Sequence, residues 1–298
     1  RLVPGSTQWS EPVQLSSDPD RSEQNPILFP APNGDLWLLH TAQSAGHQDT
    51  AVVRRRISKD NGQTWGPTET VTDAPAGTFV RQPIQVQADG SWLLGIFRCV
   101  PVPGMAWDGS LDDSAVLRST DQGQSWQRIE VPGSLGCVHM NIVPAKHGGL
   151  LAFFRSRWAD HVYRTRSSDG GLTWEPPQPT VLPNNNSSIQ AIRLQDGRLA
   201  MIFNHSSAKD ATGRRESLYD ELDDGDAAPN KVAGEAPQRR AFWGAPRAPL
   251  TLALSEDDGL TWPWQRNLET GDGFCMTNNS EQRLNREYSY PSIRQSAD

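Results

Sequence analysis

Polar side chains recur at matching places in this sequence, where short apolar segments begin and where the following apolar segments end. The first set contains Gln24, Asn25, Arg81, Gln82, His139, Asn141, Asn185, Asn186 and Gln190. The second set contains Arg98, Arg155, Arg157 and His205. Guanidinium groups bind carboxylates through paired hydrogen bonds, and amide and imidazole groups bind hydroxyls. The two sets therefore predict a site for an acidic saccharide.

A second chemistry is open to the same residues. His139 and Tyr163 fall near Arg155 and Arg157 in the repeated pattern. Arginine would neutralise the carboxylate of a uronate while the imidazole or the phenol removed the acidified C5 proton, which is the chemistry of a polysaccharide lyase. A protein that binds carbohydrate without turnover is a third interpretation.

The elements that must position these side chains are paired apolar strands. Four copies of strand, glycine turn and strand occupy residues 26–39, 83–97, 141–154 and 189–203, and a fifth copy begins at 290–293. Short apolar segments joined by Asn-Gly, Asp-Gly or Gly-Gly turns are typical of antiparallel hairpins. Helical periodicity is almost absent, so the sequence predicts an all-β fold.

An eight-residue motif is interleaved with these hairpins. Ser, Asp, Gly, Thr or Ser, and Trp stand at the same positions in residues 58–65, 119–126, 167–174 and 255–262. Asp and Ser side chains bind nearby backbone N–H groups, Gly permits the turn, and Trp is an apolar anchor. Four equivalent acids cannot share one active site, so we interpret these Asp residues as structural. Four-stranded units repeated in this way predict a β-propeller.

The whole chain, residues 1–298, is interpreted as one propeller domain. Residues from about 208 to 248 break the strand pattern and are interpreted as an insertion, either a solvated loop or a lid over the central cleft. Residues 9–15 resemble the outer strand that follows each Asp turn. We therefore expect the chain to begin at the end of one blade and to end inside another, truncated at both ends.

Composition excludes several functional classes. The formal net charge of −7 and the pI of about 5.4 argue against general nucleic-acid binding, which needs a basic surface. No apolar segment reaches the roughly 18 residues of a membrane span, so we expect a soluble protein. Cys99, Cys137 and Cys275 have no metal-ligand spacing, and we predict no metal and no organic cofactor. Periplasmic, secreted and cytoplasmic locations, and the oligomeric state, are left open.

The Ser-x-Asp-x-Gly-x-Thr-Trp turns resemble the Asp boxes, or BNR repeats, of the sialidase superfamily. Residues 24–29, 184–190 and 286–293 are similar to those of a bacterial sialidase-like subgroup. The resemblance covers nearly the whole chain. It implies a six-bladed β-propeller of which about five blades are represented here, with one further blade expected before residue 1.

The resemblance also implies a function, that of an exo-sialidase type of glycoside hydrolase acting on a terminal acidic sugar. Members bind the sugar carboxylate with three Arg residues and use a Tyr nucleophile polarised by a Glu, with an Asp as acid and base. Tyr290 matches the nucleophile in spacing, and Tyr288 lies two residues away from that register. Arg247 matches the third Arg, and Arg81 is expected to hold the carboxylate with it. The other substrate-binding candidates of the predicted ring are His139, Arg155 and Asn186.

Two positions depart from the family pattern. Ser188 stands where members have the Glu, and Asn204 stands where they have the second Arg. Both are candidates for substrate binding, as is Arg286 beside the Tyr segment. Glu287 is the candidate to replace the polarising Glu, but neighbouring residues of a strand face opposite sides, so it would need a bulge. The first Arg and the Asp fall in the blade expected before residue 1.

Overall fold

The computed structural model describes residues 7–71, 73–102, 107–215, 239–277 and 283–296. Within these ranges the protein consists of β-strands and loops, with one short 3₁₀ helix at Ala208–Asp210. The strands form four antiparallel sheets, which are four blades of a β-propeller, so the prediction of an all-β propeller is confirmed. In these same ranges no helix has the length and apolar character needed to cross a bilayer.

Each blade is a sheet whose strands are adjacent in chain order. The first blade contains β1 (Ser22–Pro30), β2 (Leu36–Ser44), β3 (His47–Ser58) and β4 (Glu69–Thr70). The second contains β5 (Thr78–Val80), β6 (Gln85–Val86), β7 (Trp92–Arg98), β8 (Asp113–Ser119) and β9 (Gln127–Glu130), with β5 and β6 both paired to β7. The third contains β10 (Cys137–Pro144), β11 (Leu150–Ser156), β12 (His161–Ser167) and β13 (Gln178–Pro183). The fourth contains β14 (Gln190–Arg193), β15 (Leu199–Asn204), β16 (Leu250–Ser255) and β17 (Trp264–Glu269).

Apolar side chains fill the spaces between neighbouring blades. Trp37 of the first blade and Trp92 of the second meet edge to face, with ring centroids 5.3 Å apart, and Phe29 packs on Trp92 at 4.9 Å. Phe153 of the third blade and Phe203 of the fourth are fully buried in one further cluster. Because alternate residues of a strand face opposite sides, each sheet offers one apolar face to each neighbour. This packing brings the inner strands of the blades close to one another.

The Ser-x-Asp-x-Gly-x-Thr-Trp turns connect the third and fourth strands of each blade. In the third blade, Asp169 accepts hydrogen bonds from the Thr173 hydroxyl at 2.6 Å and the Thr173 N–H at 2.9 Å, and the Ser167 hydroxyl accepts one from the Gly171 N–H at 2.9 Å. The same bonds recur in the other three turns. The bonds from Thr173 favour the charged carboxylate and lower the pKa of Asp169 to about 2. The predicted turns clamped by Asp are confirmed.

Four polar or aromatic residues at the inner ends of blades have a left-handed backbone. They are Asn25, His139, Asn186 and Tyr290, with φ between 55° and 58°. The strand pairing shifts register around Asn25 in β1 and around His139 in β10, which marks β-bulges. Bulges redirect side chains and are frequent beside active sites. Left-handed backbone at a bulky residue costs about 1–2 kcal/mol, so the surrounding contacts must hold these residues in place.

Residues 283–296 contain no strand, so the strand predicted at 290–293 is not formed. Pro291 has no N–H to donate, and the Ile293 N–H binds the Gln190 side chain at 2.6 Å instead of a neighbouring strand. Tyr288 N–H donates to the Arg247 carbonyl at 2.9 Å, which ties this segment to the fourth blade. Four blades are found, and the count of six stays a prediction.

The insertion lies between β15 and β16. Residues 216–238, on which the lid prediction depends, lie outside the described residues. The second flank packs against the third blade, where the Phe242 N–H donates to the Arg157 carbonyl at 2.8 Å. The Trp243 indole N–H donates to the Asp108 carbonyl at 2.9 Å. The insertion therefore contributes a wall to the region beside Arg157.

Candidate active site

Four arginines from three blades surround one tyrosine. Arg81 follows β5, Arg155 and Arg157 come from the end of β11, and Arg247 precedes β16. We call these four residues the arginine cluster. Tyr290, from the segment after the fourth blade, lies against it. Residues far apart in the chain meet here because the ends of the inner and second strands of different blades lie close together.

The contacts of Tyr290 with the cluster are short. Arg155 Nη1 donates a hydrogen bond to the Tyr290 hydroxyl oxygen at 2.9 Å. The guanidinium carbons of Arg81, Arg155 and Arg247 lie 5.5, 5.8 and 5.9 Å from the centroid of the tyrosine ring. Arg81 Nη2 also donates to the Tyr290 carbonyl at 3.1 Å. Sequence reasoning had selected Tyr290, Arg81, Arg155 and Arg247, and the structure brings all four together.

The charges of the cluster are only half neutralised. Arg157 Nη2 lies 2.7 Å from the fully buried Asp112 carboxylate, and Arg247 Nη1 lies 3.0 Å from Glu287. In the described part of the chain, no carboxylate lies within 4.0 Å of Arg81 or Arg155, the limit for an ion pair. A buried guanidinium without a counter-ion is costly. The arrangement therefore favours binding of an anion.

The ionisation of Tyr290 is shifted by these neighbours. Burial disfavours the phenolate, but the positive charges of Arg155 and Arg247 and the hydrogen bond from Arg155 outweigh it and lower the pKa of Tyr290 to about 8. Burial also disfavours the charged form of Arg155 and lowers its pKa to about 10, although Tyr290 opposes this. The residue as a whole is 39% exposed.

His139 lies beside Arg155 and Tyr290. Its Nε2 is 3.4 Å from Arg155 Nη1, and its ring centroid is 5.7 Å from that of Tyr290. Burial and the charges of Arg155 and Arg157 hold the pKa of His139 well below its usual range, so the imidazole is neutral at pH 7. Arginine can only donate, so Nε2 accepts and the ring proton is assigned to Nδ1. That Nδ1 has no hydrogen-bond partner among the described residues.

A wall of buried amides adjoins the cluster. Asn186 Oδ1 accepts from Arg155 Nε at 2.8 Å, and Asn186 Nδ2 donates to the Phe242 carbonyl at 2.9 Å. Asn204 Nδ2 donates to the Tyr288 carbonyl at 3.1 Å. Because the Asn186 amide is itself held by Phe242, its bond to Arg155 Nε fixes the orientation of the Arg155 guanidinium.

Ser188 is fully buried, and its hydroxyl has no hydrogen-bond partner among the residues described. A serine at this position cannot polarise a phenol as a carboxylate does. The departure noted in the sequence therefore matters for the chemistry of the site.

Three other predicted residues have different partners. The Tyr288 hydroxyl donates to the Thr270 carbonyl at 3.1 Å, and Arg286 forms an exposed ion pair with Asp272. The structure therefore does not bring Tyr288 or Arg286 to the cluster, while Glu287 reaches it only as the partner of Arg247.

Tyr163 donates to Asp160 at 3.0 Å. Burial and the Asp160 charge raise the pKa of Tyr163 to about 12. The phenol of Tyr163 therefore keeps its proton at neutral pH and is a poor base.

Sequence reasoning missed two members of the site. Asp112 neutralises Arg157 and also accepts from the Trp107 indole N–H at 2.8 Å. Trp243, from the insertion, places its ring 5.2 Å from the guanidinium carbon of Arg157 and 5.9 Å from that of Arg155. The break in the strand pattern indicated an insertion but not which of its residues enters the site.

A cleft of about 250 Å³ opens beside Arg81, lined also by Pro83, Gln190 and Ile293. Across the described ranges, no three His, Cys, Asp or Glu side chains come together as ligands for a metal ion. Cys99, Cys137 and Cys275 are buried thiols. The site is thus a cluster of arginines around a tyrosine, with a neutral imidazole and amides beside it and a cleft at Arg81.

Comparison with known proteins agrees with this architecture. A model of a family described as a BNR repeat-like domain matches residues 1–298. The structure is similar to the Hadza microbial sialidase Hz136, with 14% identity and a TM-score of 0.58 over 85% of this chain and 47% of that one. A protein of unknown function from Dyadobacter fermentans DSM 18053 gives 16% identity and a TM-score of 0.62 over 89% and 70% of the two chains.

Trypanosoma rangeli sialidase gives 14% identity and a TM-score of 0.52, covering 80% of this chain and 38% of that one. This chain therefore spans less than half the length of both sialidases. At such identities the likeness concerns the fold alone. No curated protein sequence matches the chain.

Proposed function

Because this chain belongs to the BNR repeat-like domain family, we propose that it is a sialidase-like glycoside hydrolase that removes a terminal acidic sugar from a glycan. We infer that the complete β-propeller has six blades. The observation that carries the proposal is the pair Arg81 and Arg155, two guanidinium groups that flank Tyr290 and have no carboxylate partner within the described residues. An anionic sugar would supply the missing charge.

In this proposal the sugar carboxylate binds the unpaired Arg81 and Arg155 together with Arg247, and Tyr290 attacks or stabilises the anomeric centre. A phenolic nucleophile suits an anionic substrate because the phenol of Tyr290, with a pKa of about 8, is mostly neutral at pH 7 and does not repel the carboxylate during binding. Attack forms a bond between the tyrosine oxygen and the anomeric carbon while the phenol proton passes to solvent, and the aglycone oxygen leaves with the bonding pair and takes up a proton from solvent. Water then breaks the bond between Tyr290 and the sugar, which frees the sugar and restores the phenol. Asn186 and His139 are the candidates to bind the hydroxyl groups of the sugar.

A fluorogenic sialoside, assayed with the full chain, tests the proposal. We expect release of the fluorophore by the wild-type protein and by Tyr288→Phe, whose hydroxyl binds Thr270. We expect loss of release in Tyr290→Phe. Turnover that survives in Tyr290→Phe would remove this residue from the mechanism.

A polysaccharide lyase is the second candidate, because His139 is a buried, neutral imidazole beside Arg155. Its unsaturated product absorbs at about 235 nm, so an absorbance increase on a uronic-acid polymer, lost in His139→Gln, would support it. Glycan binding without turnover in either assay would support a propeller that only binds carbohydrate.

A further inference from the structure

We propose that arginine side chains, with Arg155 as the direct partner, make the phenol of Tyr290 ionise more readily than an ordinary tyrosine, without a carboxylate base. The role of this ionisation in catalysis rests on the proposed function. The ionisation itself is a property of the protein without substrate, so the two claims are tested separately.

The geometry of Arg155 is the first argument. Its Nη1 donates to the Tyr290 oxygen at 2.9 Å, its Nε donates to Asn186 Oδ1 at 2.8 Å, and its side chain is 2% exposed. A guanidinium has only donors, so the phenol oxygen must act as the acceptor in this bond. Such a bond is stronger to a charged oxygen than to a neutral one. The contact therefore favours the ionised phenol.

The remaining charges around Tyr290 act in the same direction. Arg81 and Arg247 lie within 6 Å of the ring, and Arg157 lies behind Arg155. His139, which faces the ring edge, is uncharged at pH 7.

The carboxylates of the region do not reverse this balance. Asp112 is bound to Arg157, and Glu287 is bound to Arg247. Among the described residues, four guanidiniums and two carboxylates leave an excess of two positive charges, which an ionised Tyr290 partly neutralises.

No carboxylate is placed to take the phenol proton within the described residues. Ser188 carries a hydroxyl that cannot act as a base, and Glu287 Oε2 is held by Arg247 Nη1 at 3.0 Å. Tyr290 is 39% exposed, so its proton leaves to solvent. Solvent also screens part of the attraction to the arginines, while the balance still places the pKa of Tyr290 at about 8.

Ultraviolet difference spectroscopy of the full chain, at about 295 nm, tests the proposal. The chain has four tyrosines, and an ordinary tyrosine ionises near pH 10. We expect one tyrosine to ionise with a midpoint near pH 8, and this step to be absent in Tyr290→Phe and present in Tyr288→Phe. In Arg155→Gln the midpoint should move towards 10.

Arg286→Gln is the matched control, since it removes the same charge from an exposed ion pair with Asp272 and should leave the midpoint unchanged. Arg247→Gln provides a second test if Arg155→Gln does not fold, and should raise the midpoint by a smaller amount. Wild-type and Tyr290→Phe titrations that superimpose below pH 9.5 would overturn the proposal. If the protein hydrolyses the sialoside but all its tyrosines ionise near pH 10, only the proposal about Tyr290 ionisation is refuted. If one tyrosine ionises near pH 8 but the sialoside is not hydrolysed, only the proposed hydrolase function is refuted.

Discussion

Arg155 Nη1 donates a hydrogen bond to the hydroxyl oxygen of Tyr290 at 2.9 Å, across 135 residues of sequence. The contact joins the second strand of the third blade to the segment that follows the fourth blade. It places the nucleophile candidate in a cationic environment instead of beside a carboxylate. The pH dependence, the substrate charge and the choice of leaving group should all reflect that environment.

The pH profile of kcat/KM is the first prediction. Ionisation of Tyr290, with a pKa of about 8, should make kcat/KM rise about tenfold per pH unit below that value. The Arg155 guanidinium should stay charged over this range, because the ionised phenol beside it stabilises the cation, so kcat/KM should level off above the pKa of Tyr290. Because the two groups interact, the measured values belong to the pair. An optimum near pH 5 would contradict the prediction.

The repeated turns and strands could be predicted from the sequence because they depend on local chemistry. Ser167, Asp169, Gly171 and Thr173 bind one another within seven residues, so the motif carries the geometry. Because the blades of a propeller are arranged around an axis, polar residues at the same position of each repeat were expected to lie close together. The structure places His139 beside Arg155, as this arrangement implies.

Other parts of the site depend on contacts that no local pattern encodes. Asp112 and Arg157 lie 45 residues apart in different blades, and Trp243 reaches the site through an irregular flank. The segment containing Arg286, Glu287 and Tyr288 was interpreted with the two-residue alternation of a strand, but it forms none. Its side chains therefore diverge to Asp272, Arg247 and Thr270.

Substrate charge provides the second prediction. In Arg81→Gln, loss of a charge-assisted contact of about 1.5–3 kcal/mol should raise KM for a sialoside roughly ten- to hundredfold. Arg198→Gln, which alters an exposed pair with Asp196, should have no effect. The measurement is steady-state kinetics on the sialoside and on its methyl ester, which lacks the negative charge. If Arg81 binds the carboxylate, only the acid should lose efficiency; equal loss on both substrates would assign Arg81 to positioning Tyr290, whose carbonyl it also binds.

The third prediction concerns the leaving group. Within the described residues, two carboxylates contact the arginine cluster, Asp112 and Glu287; both are paired with arginine, and neither is free to protonate a departing oxygen. Aryl glycosides whose leaving group is a weak base should therefore react much faster than natural linkages. A series of substituted phenyl sialosides, with log kcat/KM plotted against the pKa of the leaving phenol, should give a steeply negative slope. A flat plot would indicate efficient proton donation and would contradict the prediction.

The last prediction concerns the turns that hold the blades. Gly123 has a φ of +80°, and an added Cβ would lie 2.5 Å from the Trp37 ring of the neighbouring blade. Gly90 has a nearly identical φ of +82°, but nothing lies within 4 Å of an added Cβ. Both alanine substitutions should cost about 1–2 kcal/mol in backbone strain, while Gly123→Ala should cost about 1–3 kcal/mol more from overpacking. Urea unfolding of the two variants measures the difference, and equal free energies of unfolding would show that the contact between Trp37 and this turn does not fix the packing of the first two blades.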